Sequence, residues 1–91
     1  MLSVLSELRV MGITTEEISN IIMAALDDAE AEVSGGDGKF QIRVVADVFA
    51  GLNSVKRQQT IYRIINEHIS SGAIHAVSMS LLTKEEHAKN G

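Results

Sequence analysis

His75 opens the run Ile74-His75-Ala76-Val77-Ser78-Met79, whose apolar–polar alternation predicts a β-strand. An imidazole at the mouth of a strand is positioned rather than merely solvated. It is also among the few groups in this chain able to bind a soft or borderline metal. The chain has no cysteine, so no cluster or zinc site can be built from its own thiolates. Twenty residues upstream lies a second informative segment, Phe49-Ala50-Gly51-Leu52-Asn53-Ser54-Val55-Lys56-Arg57-Gln58-Gln59-Thr60-Ile61-Tyr62. It carries Lys56 and Arg57, with Arg63 just beyond, on what the spacing makes a helix.

Other chemistry is sparse. Gly35-Gly36-Asp37-Gly38-Lys39 has the look of a phosphate loop, but Phe40 follows the lysine where such a loop needs Ser or Thr and then a helix. A strand begins there instead, so the segment reads as a hairpin loop. Glu16-Glu17, Asp27-Asp28 and Glu85-Glu86 sit where helix ends are expected, and read as terminus charges rather than paired catalytic carboxylates. No Ser/His/Asp or Cys/His arrangement is present, and the reading is of a protein that is not an enzyme. His68 is read as a structural residue of the helix, and His87 as solvent-exposed in a terminal helix.

The elements that must position His75 follow from caps and periodicity. Thr14-Thr15-Glu16-Glu17 fits a capping box, and Ile18, Ile21, Ile22 and Ala25 continue at helical spacing to about Leu26 or Asp28. Ala29 to Val33 reads as a half-exposed strand, residues 34–39 as a glycine-rich turn, and Phe40, Ile42 and Val44 as one face of a second strand. Asn53 or Ser54 caps a long helix to about Ser70, with Ile61, Ile64, Ile65 and Ile69 as its buried stripe. The third strand starts from Ile74, with His75, Val77, Met79 and Leu81 on its more apolar face. Thr83-Lys84-Glu85-Glu86 is a second capping box. Upstream, Leu2, Leu5 and Leu8 share one helical face, stopped by Gly12.

The order is therefore α-β-β-α-β-α, an α+β class domain of two layers with a three-stranded mixed sheet and helices packed on one face. A right-handed crossover makes strands two and three parallel, so both begin at the same end of the sheet. His75 is then expected beside the 34–39 loop, and the two would form one site.

With 91 residues the chain makes one small domain whose stability must come from aliphatic packing. Charge is uneven along it. Residues 1–38 hold Arg9 against eight acidic residues, whereas residues 39–63 hold five basic residues against Asp47. A net charge of −4 argues against non-specific nucleic-acid binding, although the middle third could present a local basic face. No stretch is long and apolar enough to span a membrane. The opening residues carry Glu7 and lack a basic first region, so they read as neither signal nor transit peptide, and the expected location is cytoplasmic.

Three ordered motifs tie the chain to a known family. Phe49-Ala50-Gly51, Val55-Lys56-Arg57-Gln58-Gln59-Thr60 and Ile74-His75-Ala76-Val77-Ser78 resemble the BolA family, and within it the IbaG branch. The resemblance runs from Val33 to about Glu86, and the chain divides into an N-terminal extension, 1–13, and a BolA-like domain, 14–91. It implies a fold similar to a type II KH domain. It also implies an adaptor that pairs with a CGFS-type monothiol glutaredoxin and takes part in iron–sulfur cluster trafficking or in iron and stress sensing. In that pairing a two-iron two-sulfur cluster is shared with the glutaredoxin and glutathione, and the residue matching His75 is a cluster ligand.

Family members often add a cysteine or histidine from the first hairpin loop. This chain offers Asp37 and Lys39 there. Asp37 would be a hard oxygen ligand, and Lys39 is a poor ligand while protonated, so partner binding is expected to survive with cluster ligation weaker, more labile or differently completed. The alternative is a nucleic-acid-binding transcriptional regulator using Lys56, Arg57 and Arg63 of the helix 53–70. Against it, Gly51-Leu52-Asn53-Ser54 lacks the Gly-x-x-Gly loop of a KH single-strand reader, and aromatics are few. A third reading is a structural partner domain with no ligand. The isolated chain is expected to be a monomer or weak homodimer.

Overall fold

A computed structural model describes residues 13–90. The Leu2, Leu5, Leu8 stripe and the Gly12 stop lie outside the described residues. Helix α1 spans Thr15–Ala25 and opens with the expected capping box: the Glu17 amide donates to Thr14 Oγ1 and the Thr14 amide to Glu17 Oε1, both at 3.1 Å. It ends slightly before the expected Leu26 or Asp28. Leu26 turns extended as the C-cap, and Asp28 enters the left-handed region at φ 57°. Ile18 and Ile22 are fully buried, whereas Ala25, expected in the stripe, is exposed.

Strands β1 (Glu30–Gly36) and β2 (Lys39–Val45) pair antiparallel through to Gly36 and Lys39. The expected six-residue loop is thus a two-residue turn. Asp37 and Gly38 both have positive φ, 55° and 80°, the signature of a type I′ turn, which matches the twist of the strands it joins. Ser34, Gly35 and Gly36 belong to β1 because backbone pairing zips up to the turn. Gly35 is needed there, since at φ 114° a Cβ would meet the Lys39 carbonyl oxygen at 2.2 Å.

After β2, a single 3-10 turn, Asp47–Phe49, drops Phe49 into the core. Helix α2 (Ser54–Ser70) is capped by Asn53, whose Oδ1 accepts the Lys56 amide at 2.9 Å. Strand β3 (Ala76–Leu82) runs parallel to β2, giving the order β1-β2-β3, and α3 (Lys84–Asn90) closes the described chain. The Thr83 and Glu86 capping box forms as expected.

The core lies between the sheet and the two longer helices. Phe40, Ile42 and Val44 of β2 face Ile18, Ile22, Phe49, Ile61, Ile65 and Ile74. Burying each such side chain contributes about 1.5–3 kcal/mol, against the conformational entropy lost on folding. Gln41 and Arg43 alternate with these and are exposed on the opposite face of the sheet. The architecture is α+β with a mixed three-stranded sheet.

Candidate functional site

The start of β3 abuts the hairpin turn. The carbonyl of Gly38 accepts two amides, from His75 at 2.7 Å and from Ala76 at 3.0 Å. One step earlier, the Ile74 side chain is buried and its amide donates to the His68 carbonyl at 3.0 Å. The backbone on both sides of His75 is therefore held, by the end of α2 before it and by the turn after it. The strand starts at Ala76 rather than Ile74. His75 consequently stands just ahead of the sheet and is exposed, unlike Val77, Met79 and Leu81, with which the alternation grouped it. Its ring still touches the turn: a Cβ placed on Gly38 would lie 2.2 Å from His75 Cδ2.

Topology thus brings together His75 and the turn, as parallel β2 and β3 require. Asp37 occupies the first central position of that turn, with its carboxylate exposed, and Lys39 begins β2, also exposed. Among the described residues there is no group of three or more His, Cys, Asp or Glu side chains able to hold a metal ion. Among the described residues, this corner offers the His75 imidazole, a borderline nitrogen donor, and the Asp37 carboxylate, a hard oxygen donor.

The basic residues of α2 are not brought together as the alternative reading requires. Lys56 and Arg63 are exposed. Arg57 is withdrawn: its side chain is 13% exposed and it donates to the carbonyls of Leu52 at 2.9 Å and Leu81 at 3.0 Å. It also forms a two-pronged pair with Glu86, at 2.7 and 3.1 Å, and lies 5.9 Å from the centre of the Phe49 ring. That pairing, with the Thr83 amide, lowers the Glu86 carboxyl from 4.5 to about 2, and Glu86 in turn raises Arg57 above its ordinary value. Arg57 is a corrected expectation. Its charge is paired inside the molecule, joining α2, β3 and α3, rather than standing on an exposed basic face.

His87 is a second correction. It is half-buried, with Nδ1 3.3 Å from Arg43 Nη2. Because a guanidinium only donates, Nδ1 accepts in this contact. His68 is half-buried, and its backbone carbonyl accepts from the Ile74 amide and the Ser71 hydroxyl. The Arg57–Glu86 pairing escaped the sequence because its partners are 29 positions apart. The seating of His75 on the turn had a local signal, the Asp-Gly pair that favours a type I′ hairpin.

A family profile described as "BolA-like protein" matches residues 14–86. The chain belongs to the BolA-like family. Among curated relatives, the "Acid stress protein IbaG" of Escherichia coli is 40% identical over 74 residues, covering 81% of this chain and 88% of that protein. The "Uncharacterized protein in rpoN-murA intergenic region" of Acinetobacter guillouiae is 45% identical over 75 residues, covering 82% and 90%. These relatives place the BolA-like chain on the IbaG side of the family. Among solved structures, a bolA protein homologue from Coxiella burnetii superposes with a TM-score of 0.74 at 26% identity, covering 84% of this chain and 97% of the other. No helix among the described residues is long and apolar enough to cross a membrane.

Proposed function

We propose that this BolA-like protein is a cytoplasmic adaptor without catalytic chemistry of its own. It docks a CGFS-type monothiol glutaredoxin at the His75 corner and shares a two-iron two-sulfur cluster with it. The observation that carries this reading is the exposed imidazole whose backbone is fixed to the hairpin turn by the 2.7 Å bond to Gly38. A cluster of this type needs four protein or thiol donors. This chain supplies one nitrogen, and the glutaredoxin and glutathione supply thiolates.

The donor chemistry gives the shared cluster its character. Imidazole in place of a thiolate raises the reduction potential and makes the iron–nitrogen bond sensitive to protonation. Asp37 is the candidate in the turn for a further ligand, and its oxygen suits a sulfide cluster poorly. The cluster is therefore expected to transfer or dissociate readily, as cluster trafficking or iron and stress sensing requires. One relative carries the name "Acid stress protein", which fits a response in which protonation matters.

The test is to mix the protein with a glutaredoxin carrying its cluster and follow heterodimer formation and the visible spectrum. Wild type is expected to shift the cluster absorption on binding, and His75→Ala to bind without that shift. Identical spectra from both proteins would remove the ligand role.

A further inference from the structure

Gly38 is where the turn backbone and the imidazole meet. Its φ of 80° lies in the left-handed region, and its carbonyl receives both the His75 and Ala76 amides. A Cβ added there would stand 2.2 Å from His75 Cδ2, 3.1 Å from Cγ and 3.3 Å from Nε2. Gly51 and Gly72 have similar φ values, 80° and 87°, but nothing lies within 4 Å of a Cβ at either. Those two serve only the path of the chain. Gly38 serves its turn and also leaves the space that the ring occupies.

We infer that Gly38 is a positioning residue for the His75 imidazole, with its bare Cα as the seat for the Cδ2 corner of the ring. This deepens, and rests on, the reading of His75 as the donor to a shared cluster. An exposed histidine would otherwise sample several rotamers, and binding would have to freeze one of them. Here the turn carbonyl fixes the histidine backbone, and the missing side chain at position 38 lets the ring lie against the turn. Residues that orient a ligand without touching the metal typically change affinity about 10- to 100-fold when altered. The two-residue turn, with no side chain at its second position, thus provides orientation where it provides no cysteine or histidine.

The test separates backbone strain from crowding. Asparagine tolerates positive φ better than other side chains, so Gly38→Asn keeps the turn while placing a Cβ in the ring's space. Gly51→Asn is the control, with the same φ and open surroundings. In the free protein, NMR is expected to show a through-space contact between the His75 ring proton on Cδ2 and the Gly38 α-protons. The His75 ring shifts should move in Gly38→Asn and stay in place in Gly51→Asn, with circular dichroism alike in all three. With a cluster-loaded glutaredoxin, Gly38→Asn should weaken the cluster-bridged heterodimer about 10- to 100-fold.

Absence of the wild-type ring contact, or unchanged ring shifts in Gly38→Asn, overturns the seat whatever the partner does. Should Gly38→Asn fail to fold, the wild-type contact still decides. A ring that moves while the heterodimer keeps wild-type affinity overturns the positioning role. If wild type forms no cluster-bridged complex, the adaptor reading falls, and the free-protein spectra still report on the seat.

Discussion

The two ends of β3 are organised in opposite ways. Beyond its C-terminal end, Thr83, Glu86 and Arg57 satisfy one another, and Arg57 also takes up the carbonyls of Leu52 and Leu81. Lys84 reaches Asp28, and His87 meets Arg43, so α3 is tied to three other parts of the domain. Ahead of its N-terminal end, only backbone groups are consumed, and the His75 side chain stays exposed on a fixed frame. Charge neutralised internally supports the fold, whereas an imidazole left free on a rigid backbone is available to a partner. Residue type alone separates the two ends only in part: it singles out His75, and it leaves Arg57 among the α2 cations of the alternative reading.

If that contrast is sound, its largest signature lies in stability. Arg57→Ala removes hydrogen bonds to two carbonyls and a carboxylate, and should cost about 2 kcal/mol, since bonds involving a charged group contribute roughly 1.5–3 kcal/mol. For a domain of this size that lowers Tm by about 10 °C in a thermal melt. Cluster-dependent binding to the glutaredoxin, measured well below Tm, should persist. Loss of binding with unchanged Tm would reverse the assignment of the two ends.

The acid limb of stability comes next. Glu86 titrates at about 2 in the folded protein against an ordinary value of 4.5. A lowered carboxyl stabilises the fold fully above its unfolded value and loses that contribution as pH falls toward the folded one. Melting temperature should therefore fall between pH 4.5 and about 2, and Glu86→Gln should flatten that fall. An equally steep fall in the variant would mean that the pairing contributes nothing.

At the other end, His75→Ala should leave the melt unchanged, because the side chain is exposed and only its backbone is bonded. A marked loss of stability would show the ring to be a structural group. The smallest effect is expected on the α2 surface. Lys56→Ala and Arg63→Ala should alter neither the melt nor the glutaredoxin complex. A DNA-binding regulator would instead bind at low salt and lose about 0.9 of salt slope per phosphate contact removed.

What could be read from the sequence was local or topological. Both capping boxes span four residues and were legible as such. The approach of His75 to the turn followed from a crossover rule applied to predicted strands, with no contact information. What escaped was long-range or depended on pairing. Arg57 meets Glu86 across 29 positions and His87 meets Arg43 across 44, which periodicity cannot reveal. The hairpin tightened because ladder bonds carried β1 through two glycines that composition alone assigned to a loop. His75 fell outside the strand for a related reason: the ladder with β2 begins at Ala76 opposite Lys39.

The central claim is that His75 places a nitrogen on a cluster held jointly with a glutaredoxin. Its most direct measurement is pulsed EPR on the reduced heterodimer, with only this chain's histidines labelled with nitrogen-15. A strongly coupled nitrogen-15 in wild type, absent in His75→Ala, is the expected result. A cluster-bridged heterodimer with no such coupling, or one that keeps it in His75→Ala, would contradict the account.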